Sequence, residues 1–156
     1  MTTGSEPRPW RGPLYLDASA LVKLYFAEPE SAALEASLLG RHDLIASDVA
    51  ITEITSALAR RARDGALLLK VAREAHDLLL DDVASELYER VRLQPAIHRR
   101  AEEILLSTEI PTLRAADALH LAMALAAGAA SIVSFDRRML LAARVVQLGG
   151  VPELAE

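Results

Sequence analysis

After an unpatterned opening, the chain alternates between short apolar runs and longer segments whose apolar residues recur every three or four positions. Leu14 to Leu16 is an apolar run that ends in Asp17, and Ala18 to Phe26 has helical spacing, so this stretch predicts strand, polar turn and helix. Glu30 to Leu39 predicts a second helix stopped by Gly40, and Leu44 to Ala46 a second strand leading to Ser47 and Asp48 as capping residues. The next helix runs to Asp64 with Gly65 as its stop, and Ile51, Ile54, Leu58 and Ala62 form its buried stripe. Further helices are predicted over Leu67 to Leu80, ending at the Asp81 and Asp82 pair, and over Ala96 to Leu106 after Pro95. Two more cover Arg114 to Ala127, with Thr112 as N-cap and Gly128 as stop, and Arg137 to Ala143. Leu87 to Leu93, Ser131 to Ser134 and Val145 to Leu148 complete the strands.

Strands alternating with helices imply right-handed crossovers, and therefore an α/β fold with a parallel sheet flanked by helices. Met1 to Pro13 is rich in Gly and Pro and reads as a flexible tail, leaving residues 14–156 as one domain. A length of 156 residues suits one such unit, and 52% apolar against 25% charged residues excludes intrinsic disorder. The chain has no cysteine, which removes disulfides, thiolate zinc sites and cysteine nucleophiles and suggests the cytoplasm. The opening lacks the apolar stretch of a signal peptide, and no later apolar run is long enough to span a membrane.

A net charge of -5 argues against nucleic-acid binding by bulk electrostatics. Setting aside four acids that could hold cations brings the rest of the chain close to neutrality. The basic residues are nearly all Arg, suited to bidentate contacts with phosphate or carboxylate.

Asp17 and Asp136 each follow an apolar strand and precede a helix, at the strand carboxyl ends where open α/β sheets bind ligands. Taken singly, the commoner fate of such an Asp is a helix N-cap. Ser19 and Ser134 lie two residues from these acids and are placed to orient a carboxylate or a water. From Ala115 to Ala127 the only polar side chains are Asp117 and His120, so the helix should be buried and its carboxylate should need a partner. The alternative for Asp117 is a first-turn acid favoured by the helix dipole, against which Thr112 as N-cap would place it beyond that turn; His120, one turn on, is a metal ligand or, more often in such settings, a hydrogen-bonded core residue. Glu53 sits inside a helix and alone carries no signal. Arg60, Arg114 and Arg137 are candidate contacts to a phosphate backbone, against the more frequent reading of a solvated face. Converging carboxylates would form an oxygen-rich site for Mg2+ or Mn2+.

Four segments carry a resemblance that ties these acids together. "YLDASALVKLYFAEPES", "SDVAITEITSALARR", "LRAADALHLAMALAAGA" and "SIVSFDRRML" resemble, in order and spacing, the PIN-domain family and within it the VapC-like toxins of bacterial toxin–antitoxin pairs. By that resemblance Asp17, Glu53, Asp117 and Asp136 match the family's acidic quartet, and Ser134 its hydroxyl residue before the last acid. The resemblance implies a three-layer α/β/α sandwich with a central parallel sheet, endonuclease cleavage of RNA dependent on Mg2+ or Mn2+, homodimers, and inhibition by a cognate antitoxin. Asp17 and Asp117 would then be the principal metal ligands, with Glu53 and Asp136 completing the shell. The competing readings are a non-catalytic metal- or RNA-binding module of the same fold, and an RNA-processing or DNA nuclease. A receiver-type phosphotransfer domain is disfavoured, because Asp17 stands alone after the first strand and no Lys follows Lys70.

Overall fold

Leu14–Leu16 forms β1 at the centre of a parallel sheet whose strand order is β3-β2-β1-β4-β5 in the computed structural model. The structure describes residues 10–107, 110 and 112–153. Leu44–Ser47 is β2, Glu89–Val91 is β3, Ser131–Val133 is β4 and Gly149–Val151 is β5. All four neighbouring pairs are parallel, with Leu14 opposite Leu44 on one side of β1 and Ser131 on the other. The helices are α1 Ala18–Tyr25, α2 Ser31–Leu38, α3 Asp48–Arg63 and α4 Leu69–Ala84, followed by α5 Pro95–Ser107, α6 Ala115–Ala126 and α7 Arg137–Val145.

Side-chain alternation along each strand divides the core in two. Leu14, Leu16, Leu44, Ala46 and Val133 pack with α1 to α4, whereas Tyr15, Ile45 and Ile132 pack with α5, α6 and α7. The expected three-layer α/β/α sandwich is therefore present. The central strands are buried on both faces, which is why they read as continuous apolar runs.

Three local expectations change. Helix α4 continues through Asp81 and Asp82 to Ala84, because Asp82 is used inside it, accepting a hydrogen bond from Tyr25 Oη at 2.6 Å. The last strand lies at Gly149–Val151, not Val145 to Leu148: Val145 ends α7 and Gln147 takes a left-handed turn. The glycines suit a close approach, since a Cβ on Gly149 would lie 2.6 Å from Ser131 Oγ. Residues 1–9 of the expected tail lie outside the described residues, but residues 10–13 are tied down. Trp10 packs against the core, Arg11 O accepts from Ser131 Oγ at 2.7 Å and Pro13 O from Ala130 N–H at 2.9 Å.

Candidate functional site

The order of strands places β1 between β2 and β4, so the chain reverses its winding direction between β1 and β4. At the carboxyl end of that junction a cleft of about 190 Å³ is lined by Asp17, Glu53, Asp117 and Asp136, together with Arg114 and Arg138. Asp17 and Asp136 cap α1 and α7, Asp117 lies in the first turn of α6 and Glu53 in the second turn of α3. The partial positive charge of helix N-termini offsets part of the repulsion at the first three.

Asp17 is the N-cap of α1 and 4% exposed. Its Oδ1 accepts from Ala20 N–H at 3.0 Å and from Ser19 Oγ at 2.6 Å. Burial raises its pKa above the usual carboxylate value, against the lowering influence of His120, Ser134, Ser19 and Ala20. Ser19 Oγ also accepts from Phe135 N–H at 2.8 Å, and Ser134 Oγ accepts from Asp136 N–H at 3.0 Å. The two serines thus staple the turn after β4 to the start of α1, which holds Asp17 and Asp136 in one frame.

Asp136 is the N-cap of α7, accepting from Arg138 N–H at 2.9 Å, and its carboxylate is also paired with the Arg138 guanidinium. Glu53 is half-exposed and accepts from His120 Nε2 at 2.8 Å. That hydrogen bond lowers its pKa; partial burial opposes, and the charges of His120 and Arg114 assist. Asp117 departs from expectation. The N-cap of α6 is Arg114, not Thr112, so Asp117 is the third residue of the helix and its Oδ2 accepts from Arg114 N–H at 3.0 Å. Asp117 therefore has a capping role in the first turn, the alternative that Thr112 as N-cap would disfavour.

Of the three candidate arginines, only Arg114 lines the cleft; Arg60 and Arg137 are exposed and are not among its lining residues. Arg138 takes the place expected of Arg137, because the residue two beyond an N-cap Asp is the one that folds back onto its carboxylate. His120 is buried and hydrogen-bonded on both ring nitrogens, the core-histidine alternative for this residue, while also lining the back of the cleft. Tyr15, which bonds its Nδ1, and Ser47, which bonds the Tyr15 hydroxyl in turn, are legible in the sequence only as a strand residue and a helix cap. The one available signal was a phenol in a central apolar strand, which requires a buried partner for its hydroxyl.

The donor set fits a hard divalent cation, since it consists of carboxylate oxygens. Among the described residues Glu53 Oε1 and Asp117 Oδ1 carry no hydrogen bond, their second oxygens being engaged by His120 and Arg114. Among the described residues no three acidic or imidazole groups are already drawn together tightly enough to hold an ion. Each acid is held by protein partners, and for Asp136 cation binding has to compete with Arg138.

A doubly wound parallel sheet with an acidic cleft at its reversal point defines the class. The PIN domain family profile matches residues 14–145, and the chain belongs to that family. It is 43% identical over 75 residues to Ribonuclease VapC46 of Mycobacterium tuberculosis, a match covering 42% of this chain and 58% of that protein. The match thus spans less than two thirds of that relative. Three solved structures share the fold. They are the sarcin-ricin loop cleaving toxin VapC20 of Mycobacterium tuberculosis (TM-score 0.67, 17% identity, 83% of this chain and 94% of that one), FitAcB of Neisseria gonorrhoeae (0.65, 19%, 88% and 95%) and PAE2754 of Pyrobaculum aerophilum (0.61, 23%, 88% and 83%). Among the described residues no helix is long and apolar enough to cross a membrane.

Proposed function

We propose that this chain is an Mg2+- or Mn2+-dependent endoribonuclease that serves as the toxin of a toxin–antitoxin pair. The observation that carries the reading is the meeting of Asp17, Glu53, Asp117 and Asp136 in one cleft beside two arginines. Family membership and the likeness to Ribonuclease VapC46 support RNA as the substrate. In this reading Asp17 and Asp117 are the principal ligands and Glu53 and Asp136 complete the set. When bound, the divalent ion supplies positive charge against the phosphodiester and acidity for the attacking water.

The remaining work falls to the protein. Ser19 and Ser134 hold Asp17 and Asp136 in register, and Glu53 is kept ionised by His120. Arg114 and Arg138 contact the RNA backbone, Arg138 by leaving Asp136 for a phosphate oxygen. A homodimer, a cognate antitoxin that blocks the cleft, and a cytoplasmic setting complete the proposal. The test is cleavage of RNA by the purified protein with Mn2+. Turnover that EDTA abolishes and Mn2+ restores is expected; RNA binding without turnover under any divalent cation overturns the enzyme in favour of a binding module.

A further inference from the structure

Behind the acidic cleft, a line of hydrogen bonds runs from the middle of the sheet to Glu53. His120 is 2% exposed. Its Nδ1 lies 2.7 Å from Tyr15 Oη and its Nε2 lies 2.8 Å from Glu53 Oε2. Tyr15 Oη is also 2.6 Å from Ser47 Oγ, which accepts from Ala50 N–H at 3.1 Å as the N-cap of α3. Glu53 is on that same helix. The chain of bonds therefore closes a ring through β1, the end of β2, α3 and α6.

The groups limit the directions these bonds can take. An ionised carboxylate only accepts, so Nε2 of His120 carries a proton. With the imidazole neutral, Nδ1 offers a lone pair that the Tyr15 hydroxyl fills, the Tyr15 oxygen receives the Ser47 hydroxyl, and the Ser47 oxygen receives the Ala50 N–H. Every donor has an acceptor, the condition under which a buried polar network orients its members instead of destabilising them. The Tyr15 ring meets the imidazole edge-on, with centroids 5.8 Å apart and planes at 75°, which restrains the plane of the imidazole. A phenylalanine at position 15 would fill the same apolar space; the hydroxyl is a cost there unless it has work to do.

We propose that Tyr15 and Ser47 are positioning residues for Glu53: acting through His120, they hold one oxygen of its carboxylate and leave the other for the cation. This inference rests on the metal-dependent reading above. His120 is the link, and neither Tyr15 nor Ser47 touches the cation or the RNA.

The test uses the full chain and Mn2+ alone as probe, with bound ion measured by the loss of the free Mn2+ electron paramagnetic resonance signal. Tyr15→Phe should weaken Mn2+ binding by about tenfold, the scale on which outer partners of metal ligands act. In a Glu53→Gln background the same substitution should change affinity by less than about twofold, since its route of action is already cut. Ring nitrogen resonances of His120 should report one tautomer in the wild type and a mixture in Tyr15→Phe. Cleavage by Tyr15→Phe should be lost at low Mn2+ and recovered at high Mn2+, with KM for RNA unchanged. Ser47→Gly, which retains an acceptable N-cap residue, provides a second route to the same loss should the first variant fold poorly. Unchanged Mn2+ affinity in both variants, or an equal loss with and without Glu53, overturns the relay while leaving the nuclease reading intact. A wild-type protein that binds no Mn2+ overturns both.

Discussion

Arg138 folds back across the first turn of α7 to grip Asp136, its Nη2 2.9 Å from Oδ2, so one of the four cleft acids is neutralised by the protein's own cation. The pair is partly exposed, where ion pairs contribute about 0.2–1 kcal/mol. Breaking it should act in opposite directions on the two ligands. Arg138→Gln should bind Mn2+ about two- to fivefold more tightly, because Asp136 is freed, and should bind RNA more weakly, because a phosphate contact is lost. Parallel titrations with Mn2+ and with a non-cleavable RNA measure both; a loss of Mn2+ affinity would show that the pair supports the site instead of competing with it.

Asp17→Asn should abolish RNA cleavage with no loss of fold. Asn is as good an N-cap as Asp, so the start of α1 keeps its acceptor. A buried charge is removed, and the protein should melt at or above the wild-type temperature in EDTA. Thermal melting and an RNA assay on the same preparation decide the matter. Wild-type turnover rejects the assignment, and a melting temperature lowered by more than about 5 °C would mark Asp17 as structural.

The capping bond from Asp117 to Arg114 N–H sets a limit on what its replacement can show. Asp117→Asn retains an acceptor for that bond, so in EDTA it should melt within about 2 °C of the wild type, whereas Asp117→Ala should lose about 0.5–2 kcal/mol. Saturating Mn2+ should raise the wild-type melting temperature by mass action and both variants' much less. Equal shifts in all three proteins would remove Asp117 from the ligand set.

The three tyrosines of the chain are Tyr15, Tyr25 and Tyr88. Burial is the leading cause of a raised hydroxyl pKa in each, and Tyr25 and Tyr88 share a 2.9 Å hydrogen bond beside Asp82. An acid whose pKa rises on folding holds its proton more tightly in the native state. Stability is then intact below the unfolded value of about 10 and falls as the pH climbs past it. Tyrosinate absorbance should stay absent while the protein is folded, then appear in one step together with loss of the helical circular dichroism signal. A gradual rise at about pH 10 with the helices intact would mean that at least one hydroxyl reaches water.

The layers of the fold were legible because the central strands are short, apolar and each followed by a capped helix. Local chemistry was harder where a tertiary partner overrides the local signal. Thr112 is the better N-cap by residue type, yet Arg114 is the N-cap of α6, its N–H taken up by Asp117 reaching back. Gly149 and Gly150 have poor strand propensity, yet an edge strand pressed against Ser131 and Leu140 has little room for a side chain. Arg138 and Arg137 differ by one position, and only the geometry of the turn decides which meets Asp136. The acids form a set through the family resemblance of four segments, whereas the His120 partner of Tyr15 lies 105 residues away and has no local trace.

The four acids divide two and two along the chain, Asp17 and Glu53 from its early portion and Asp117 and Asp136 from its late portion, and the seam between the portions is the β1–β4 pairing. Neither portion owns a site. Any opening that parts the late elements from β1 would separate the two pairs of acids, so the arrangement that gathers all four in one cleft is narrower than the folded state. A molecule that only loosened this seam would be an inhibitor without ever entering the cleft.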